Sequence, residues 1–122
     1  MAKLKSFEEI NSWIKTRELL KDFSAIILNN EKFNKHFSLK DQMFRSLISV
    51  SSNIAEGFER ETVKEFIRFL YIAKGSAGEF RSQIYVAYDL NYLTEEQFNQ
   101  LIERINEISK LLSGFIKYLQ TL

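Results

Sequence analysis

The sequence predicts an all-α protein, and specifically an antiparallel up-down-up-down four-helix bundle. The 122 residues contain no proline, although about six would be expected at the usual frequency of roughly 5%, and proline is the residue that most readily breaks a helix. In addition, four Ser or Thr residues each precede an apolar run with helical spacing, and each is followed three positions later by an acid or amide that can complete a capping box. The pairs are Ser6 with Glu9, Ser38 with Asp41, Thr62 with Glu65, and Thr94 with Gln97. The length fits one domain over residues 1–122.

The first two predicted helices span about residues 7–29 and 39–56. The first places apolar side chains on one face at three- and four-residue spacing: Ile10, Trp13, Ile14, Leu20, Phe23 and Ile27. A polar connection over 30–37 follows and contains the single histidine, His36. The second helix is rich in serine and is predicted to end at Gly57, because glycine commonly terminates helices.

The third and fourth predicted helices span about residues 63–90 and 95–120. The third carries a stripe with alternating spacings of four and three: Phe66, Leu70, Ala73, Ala77, Phe80, Ile84 and Ala87. Its alanines, with Gly75 and Gly78, indicate a close approach to a neighbouring helix, because a glycine inside a helix costs about 1 kcal/mol relative to alanine. The short connections before and after this helix favour antiparallel neighbours.

The third helix also has more apolar surface than one bundle core can bury. Its residues 66–73 place apolar side chains over an arc of roughly 260°, whereas a surface helix needs about 100°. We therefore predict a homo-oligomer, with Ile67, Phe69, Tyr71 and Ile72 as the candidate interface. The alternatives are that this helix is simply central in the bundle, or that its tyrosines reach the solvent with their hydroxyl groups.

Composition excludes most site chemistries. The chain has no cysteine and one histidine. It therefore lacks the residues needed for a disulfide scaffold, a zinc ribbon or a thiol nucleophile, and Ser-His-Asp catalysis would depend on His36 alone. No acid stands three positions before His36, which removes the Glu-x-x-His pattern of di-iron bundles. We predict no metal, no cofactor and no enzymatic activity. No stretch has the character of a signal peptide or a membrane span, so the expected location is cytoplasmic, without a membrane partner.

Two groups of polar residues are candidate sites. Arg45, Asn53 and Glu56 could form a ligand or catalytic site; alternatively, Asn53 and Glu56 cap neighbouring helix ends and hold a turn at Gly57. The structural alternative is favoured, because a nucleophile without a base is a poor catalyst. On the third helix, four basic residues lie within a limited arc, interleaved with Tyr71, and are candidate contacts for RNA or DNA. An ordinary solvated helix face is the alternative. The four are Lys64, Arg68, Lys74 and Arg81.

The run SNIAEGFER over residues 52–60 and the run KEFIRFLYIAKGSAGEFRSQ over 64–83 resemble the family of 23S rRNA intervening-sequence proteins. That family also includes the accessory variability proteins of diversity-generating retroelements. The resemblance covers nearly the whole chain. It implies a four-helix bundle that assembles as a ring-like homopentamer, and for the retroelement members a partnership with nucleic acid and a reverse transcriptase.

Carried over by this resemblance, the motif positions are structural or interface residues and not catalytic ones. They are Arg45, Asn53, Glu56, Gly57, Phe66, Leu70, Gly75, Ser76 and Glu79. The chain departs from the family in two ways: it has Val50-Ser51-Ser52 where relatives often have a proline, and its net charge is only +1. Retroelement accessory proteins are markedly basic, so near-neutrality argues against tight nucleic-acid binding and a reverse-transcriptase partner. A purely structural oligomer is the alternative function.

Overall fold

The all-α prediction is confirmed by the structure, a computed structural model that describes residues 4–122. Within that range a short 3-10 turn and five α-helices follow one another without a strand. The 3-10 turn covers Phe7–Glu9, and the helices are α1 (Asn11–Leu28), α2 (Glu31–Lys35), α3 (Phe37–Phe58), α4 (Val63–Asp89) and α5 (Glu95–Leu119). The four long helices pack as a bundle in which α4 has the most extensive contacts, with α3 on one side and α5 on the other.

The core is centred on the ring of Phe23. Its centroid lies 5.0 Å from that of Phe44, 5.3 Å from that of Phe80 and 6.0 Å from that of Phe33, each with the edge of one ring against the face of the other. Edge-to-face pairs at these distances add to the stabilisation that burial alone provides. Phe23 therefore joins α1 to α2, α3 and α4 in one core.

The first predicted helix is interrupted before it becomes regular. The 3-10 turn ends at Ile10, which has extended backbone angles, and α1 begins at Asn11. Ser6 makes no capping bond; instead the backbone N–H of Lys5 donates to Oε2 of Glu9 at 2.8 Å. The predicted box at Ser6 was therefore wrong. Trp13, Ile14 and Leu20 are only partly buried, while the fully buried face of α1 includes Thr16 and Leu19.

The connection predicted over 30–37 contains the short helix α2. Phe33 is fully buried and its ring stacks on that of Tyr92 at 5.0 Å. Asn30 caps α2 by accepting from the N–H of Phe33, and its amide donates to the carbonyl of Tyr92 at 3.0 Å. One buried aromatic in a polar stretch thus ties the first connection to the turn between α4 and α5.

Both predicted ends of the second long helix were wrong. Nδ1 of His36 accepts from the N–H of Leu39 at 3.3 Å, so His36 and not Ser38 caps α3. The helix also passes through Gly57 and ends at Phe58. A side chain at position 57 would not fit against α4, because a Cβ built on Gly57 would lie 2.7 Å from Cβ of Phe69 and 3.3 Å from the carbonyl oxygen of Phe66.

The capping boxes predicted for α4 and α5 form in half and in full, respectively. Thr62 accepts from the N–H of Glu65 at 3.1 Å, but the Glu65 side chain pairs with Arg68 instead of the Thr62 N–H, whereas Thr94 and Gln97 form a complete reciprocal box. Between these helices Asn91 has a φ of 64°. The N–H of Tyr92 bonds to the carbonyl of Ala87 and that of Asn91 to the carbonyl of Tyr88, which is the Schellman arrangement. This tight turn makes α4 and α5 antiparallel neighbours.

In the part of the chain that the structure describes, no helix combines the length and apolar character needed to cross a membrane. The first three residues of the N-terminal run, on which the expectation of no signal peptide partly rests, lie outside the described residues.

Candidate interaction surface

Arg45, Asn53 and Glu56 are not brought together by α3. Arg45 is exposed and pairs with Asp41 at 2.8 Å, and Glu56 is exposed and pairs with Arg60 at 3.0 Å. The Asn53 amide donates to the carbonyl and to Oγ of Ser49, one turn earlier in the same helix. The three side chains therefore share no hydrogen bond or ion pair with one another, and α3 continues through Gly57 without a turn.

Most of the other motif positions lie where α3 meets α4. Gly57 allows Phe69 to contact the α3 backbone, and Leu70 is fully buried beside it. The ring of Phe66 packs edge-to-face on Phe58 of α3 at 6.0 Å and on Phe115 of α5 at 5.3 Å. These residues fix the distance between the helices.

Two polar pairs cross the same contact. Oγ of Ser49 and Oγ of Ser76 lie 2.8 Å apart, and Oγ of Ser46 donates to the carboxylate of Glu79. Ser46 is buried, and its hydroxyl also lies 2.9 Å from the carbonyl of Gln42 in its own helix, so Glu79 adds a contact between the helices to a hydroxyl that already has a partner. The serines of the motif region thus bind α4 and form no separate polar site.

The apolar stripe predicted on α4 faces the bundle core. We call it the inner seam: Phe66, Leu70, Ala73, Ala77, Phe80, Ile84 and Ala87. All of it is buried except Phe66, which is half-buried. Phe69, predicted as an interface residue, is also nearly buried at 7% exposure, and the guanidinium groups of Arg60 and Arg68 lie 4.7 and 5.5 Å from its ring centroid.

A second line of residues with the same spacing runs along the solvent side of α4. We call it the outer seam: Tyr71, Gly75, Gly78, Ser82 and Tyr85. The spacings are four, three, four and three, which is the repeat of a helix that packs along a second helix. Two adjacent apolar residues, Ile72 and Val86, are exposed beside it. Of the wide apolar arc predicted over residues 66–73, the exposed part is Tyr71 and Ile72, which lie on this solvent side of α4.

The two glycines of the outer seam have no packing reason within the protomer. No described atom lies within 4 Å of a Cβ built on Gly75 or Gly78, so the close approach predicted for them is not made to another helix of the described protomer. Tyr71 is 53% exposed, Ile72 is 41% exposed, and Tyr85 and Val86 are similar. Ile67, the fourth predicted interface residue, is half-buried at the edge of the core.

The predicted cations are exposed on the same side of α4. Arg68 pairs with Glu65 at 3.3 Å. For Lys64, Lys74 and Arg81, no carboxylate of the described residues lies within 4.0 Å. A shallow depression of about 860 Å³ lies among Lys64, Arg68, Tyr71 and their neighbours. The outer seam therefore presents aromatic rings and small residues, and exposed basic side chains lie beside it.

Within residues 4–122 no group of three or more His, Asp or Glu side chains is arranged to hold a metal ion. Sequence reasoning missed two residues of the surface, Tyr85 and Val86. Their signal was present, because each lies fourteen residues, or two heptads, after Tyr71 and Ile72 respectively.

Comparisons with known proteins agree with this architecture. A family model described as "23S rRNA-intervening sequence protein" matches residues 8–114. A crystal structure of a protein with unknown function from the S23 ribosomal protein family of Bacteroides thetaiotaomicron is similar, with a TM-score of 0.79 and 30% identity. The similarity covers 87% of this chain and 95% of that one. No curated protein matches the chain significantly. Neither match indicates a catalytic family.

Proposed function

Because the chain belongs to the family of 23S rRNA-intervening sequence proteins, we propose that it is a non-enzymatic module that self-associates through the outer seam of α4. The observation that carries this proposal is the pair of open glycines, Gly75 and Gly78. Each destabilises the helix by about 1 kcal/mol relative to alanine, and no contact with the described residues compensates for this loss. A second helix crossing at these positions would do so, because the absence of side chains allows a short interaxial distance.

The residues around the glycines suit such a contact. Tyr71 and Ile72 lie before them and Tyr85 and Val86 after them, and aromatic side chains are enriched in protein interfaces. Burying these four would remove exposed apolar area that no part of the bundle covers, at about 25 cal/mol per Å².

A second copy of the chain is the occupant that the charges favour. At a net charge of +1 two copies repel each other little. On a helical wheel, Lys74 and Arg81 lie on one side of the outer seam, and Glu65 and Glu79 lie on the other. In a head-to-tail ring the basic side of one protomer meets the acidic side of the next, as charged residues flanking a coiled-coil seam do.

Light scattering after size exclusion tests the assembly. The wild type should have a mass that is a multiple of 14.4 kDa, and the family resemblance implies a multiple of five. Gly75→Leu should run as a monomer, because the new side chain occupies open space in the protomer but blocks the close approach of a second helix. The matched control is Gly114→Leu on α5, where a Cβ also meets no described atom within 4 Å; it should assemble like the wild type.

A monomeric wild type at tens of micromolar would overturn the proposal, and so would a Gly75→Leu variant that keeps the full mass. Circular dichroism on the same samples separates loss of assembly from loss of fold.

The unpaired cations support a second function for the same module, contact with RNA or DNA. Lys74 and Arg81 flank the outer seam, so they would lie at the solvated rim of an assembled interface, once per protomer, where phosphates compete for them with the carboxylates of the next protomer. Exposed Tyr71 and Tyr85 lie near them, and aromatic rings stack on unpaired bases. Phosphate contacts of this kind are electrostatic and weaken with salt.

Gel-shift assays with single-stranded RNA at a series of salt concentrations test this contact. A complex at about 50 mM salt should be lost by about 200 mM. Lys74→Gln with Arg81→Gln should reduce the salt slope by about two, roughly one per phosphate contact, whereas Lys21→Gln, an exposed lysine of α1, should leave the slope unchanged. No complex at about 50 mM would remove the nucleic-acid function and leave a structural oligomer.

A further inference from the structure

The outer seam of α4 carries opposite charges on its two flanks, next to its glycines. In the heptad notation abcdefg, Gly75 takes position a and Gly78 takes position d, and the flanks of such a seam are positions e and g. Lys74, directly before Gly75, is at g, and Glu79, directly after Gly78, is at e. Both side chains are exposed. The two charges therefore lie where we propose that a second copy of the chain approaches α4 most closely.

Glu79 is positioned by a contact inside the protomer. Oγ of the buried Ser46 donates to Oε1 of Glu79, which joins this carboxylate to α3. Oε2 of Glu79 makes no hydrogen bond or ion pair with a described residue, and no described carboxylate lies within 4.0 Å of Nζ of Lys74. A side chain that is already held loses less conformational entropy when it binds a partner. Glu79 therefore has one oxygen fixed within the protomer and one that can accept from another molecule.

Two α4 helices that run in the same direction would bring these opposite charges together. In a parallel coiled coil, each g residue faces an e residue of the neighbouring helix, and such pairs set the orientation of the helices. Lys74 and Glu79 have the matching separation of five positions, so Lys74 of one copy would face Glu79 of the next. The same separation pairs Ile67 with Ile72 and Arg81 with Val86. Parallel order thus places no like charges opposite each other on the flanks.

Antiparallel order would bring like charges together instead. With the same crossing at Gly75 and Gly78, the g flank of one helix meets the g flank of the other, so Lys74 would face Arg81 of the second copy. A two-fold pair would contain this contact twice. Neither cation has a described carboxylate within 4.0 Å to compensate for the repulsion. Like charges that face each other across an interface weaken it.

Arg68, which continues the line of the outer seam towards the beginning of α4, opposes parallel order only weakly. Its guanidinium pairs with Glu65 at 3.3 Å and lies 5.5 Å from the ring centroid of Phe69. The carboxylate compensates part of its charge. Repulsion between two copies of Arg68 is therefore smaller than between two unpaired cations.

The remaining charges on the line of the seam are far from the glycines. Lys64 is eleven residues before Gly75, and Asp89, which antiparallel order would bring towards Lys64, is eleven residues after Gly78. At 1.5 Å per residue each is about 16 Å from the crossing along the helix axis. Crossing helices diverge away from their contact, and salt screens exposed charges at such separations. The charges beside the glycines therefore have the greater effect on orientation.

We propose that copies of the chain associate with their α4 helices parallel and in register, and that an ion pair between Lys74 of one copy and Glu79 of the next selects this orientation. The inference rests on the self-association proposed above and adds the direction and register of the contact. Parallel order fits a closed ring, and it also fits a two-fold pair whose axis runs along α4. All copies of α4 then begin at the same end of the assembly.

Reversing the charge of Lys74 gives opposite results for the two orientations. In parallel order Lys74→Glu faces Glu79 of the next copy, and the protein concentration at half-dissociation should rise about tenfold in light scattering over a dilution series. In antiparallel order the new carboxylate would face Arg81, and that concentration should fall. The difference from the wild type should disappear at about 1 M salt. The matched control is Lys21→Glu on the exposed side of α1, which changes the net charge equally and should dissociate like the wild type.

A charge exchange tests the pair itself. Glu79→Lys should also weaken association, and Ser46 keeps its bond to the carbonyl of Gln42 in that variant. Urea denaturation of both single variants in the Gly75→Leu background measures any loss of protomer stability separately. Lys74→Glu combined with Glu79→Lys in one chain restores opposite charges and should return the concentration at half-dissociation to within about threefold of the wild type.

Stronger association of Lys74→Glu would overturn parallel order and leave self-association itself intact. An unchanged Lys74→Glu, or a double variant that associates no better than the two single variants, would show that Lys74 and Glu79 do not meet. A monomeric wild type would instead remove the self-association on which this inference rests. The failure of each proposal is thus seen in a different sample.

Discussion

The inner and outer seams of α4 have the same alternating spacing but opposite surroundings. The inner seam is filled by Leu70, Phe80, Ile84 and three alanines, and α3 and α5 cover it. The outer seam has two glycines at its centre, with a tyrosine on either side, and no described part of the chain covers it. Heptad-like spacing therefore does not by itself show what a helix face contacts: one of the two seams is covered by the bundle, and only for the other do we propose a second copy of the chain.

The glycines make the same contrast. Gly57 of α3 lies against the inner side of α4, where an added Cβ would be 2.7 Å from that of Phe69. A Cβ built on Gly75 or Gly78 meets no described atom within 4 Å. One glycine is thus required by the fold, and for the other two we propose the approach of a second molecule to α4.

The largest expected effect comes from truncating the inner seam. Phe80→Ala should lower the free energy of unfolding by about 3–5 kcal/mol, because Phe80 is fully buried and packs edge-to-face on Phe23. Tyr71→Ala on the outer seam should change it by no more than about 0.5 kcal/mol in the monomer. Urea denaturation in the Gly75→Leu background measures both without a contribution from assembly. Similar losses for the two variants would contradict the assignment of the seams.

A smaller loss is expected where α3 meets the inner side of α4. Gly57→Ala forces a methyl group against Cβ of Phe69 and the carbonyl oxygen of Phe66, neither of which can rotate away. Overpacking costs about 1–3 kcal/mol, and the better helix propensity of alanine returns about 1 kcal/mol. The net destabilisation should be about 1–2 kcal/mol by urea denaturation. Gly114→Ala, with open space around it, should be neutral or stabilising; a stabilised Gly57→Ala would show that the helices can separate at no cost.

Most of the fold could be predicted from the sequence, because helical periodicity depends only on the order of residues. The apolar stripes of α4 and α5 and the caps at Thr62 and Thr94 follow from that order. The caps at Ser6 and Ser38 do not form. Tertiary packing decides where each helix begins, and the capping-box pattern in the sequence carries no information on that packing. His36 caps α3 two residues earlier, between a buried Phe33 and a turn that holds Tyr92.

The candidate site was less predictable for the same reason. Gly57 has the local signature of a helix end, but its role depends on Phe69, twelve residues later and on another helix. Arg45, Asn53 and Glu56 are unusual in composition, yet each is bonded to a residue four positions away in the chain.

The smallest expected effects come from the two open glycines, and there stability and assembly should change in opposite directions. Gly75→Ala with Gly78→Ala should stabilise the isolated protomer by up to about 1 kcal/mol for each substitution, because alanine is the better helix former and its Cβ meets no described atom. The same methyl groups would hold a second helix away from α4 and weaken self-association. Urea denaturation at low protein concentration measures the first quantity, and light scattering over a dilution series measures the second.

Opposite changes in the stability of the protomer and in its self-association distinguish an interface from an ordinary solvated face. On a solvated face the double variant would be more stable and its mass would be unchanged at every concentration. At a helix crossing, the stability gained by the protomer should be accompanied by dissociation at a higher protein concentration than in the wild type. A variant that is both more stable and more strongly associated would mean that the glycines are not the point of closest approach. The contact would then have to be placed on the tyrosine-bearing ends of the outer seam, where Tyr71→Ala and Tyr85→Ala would locate it.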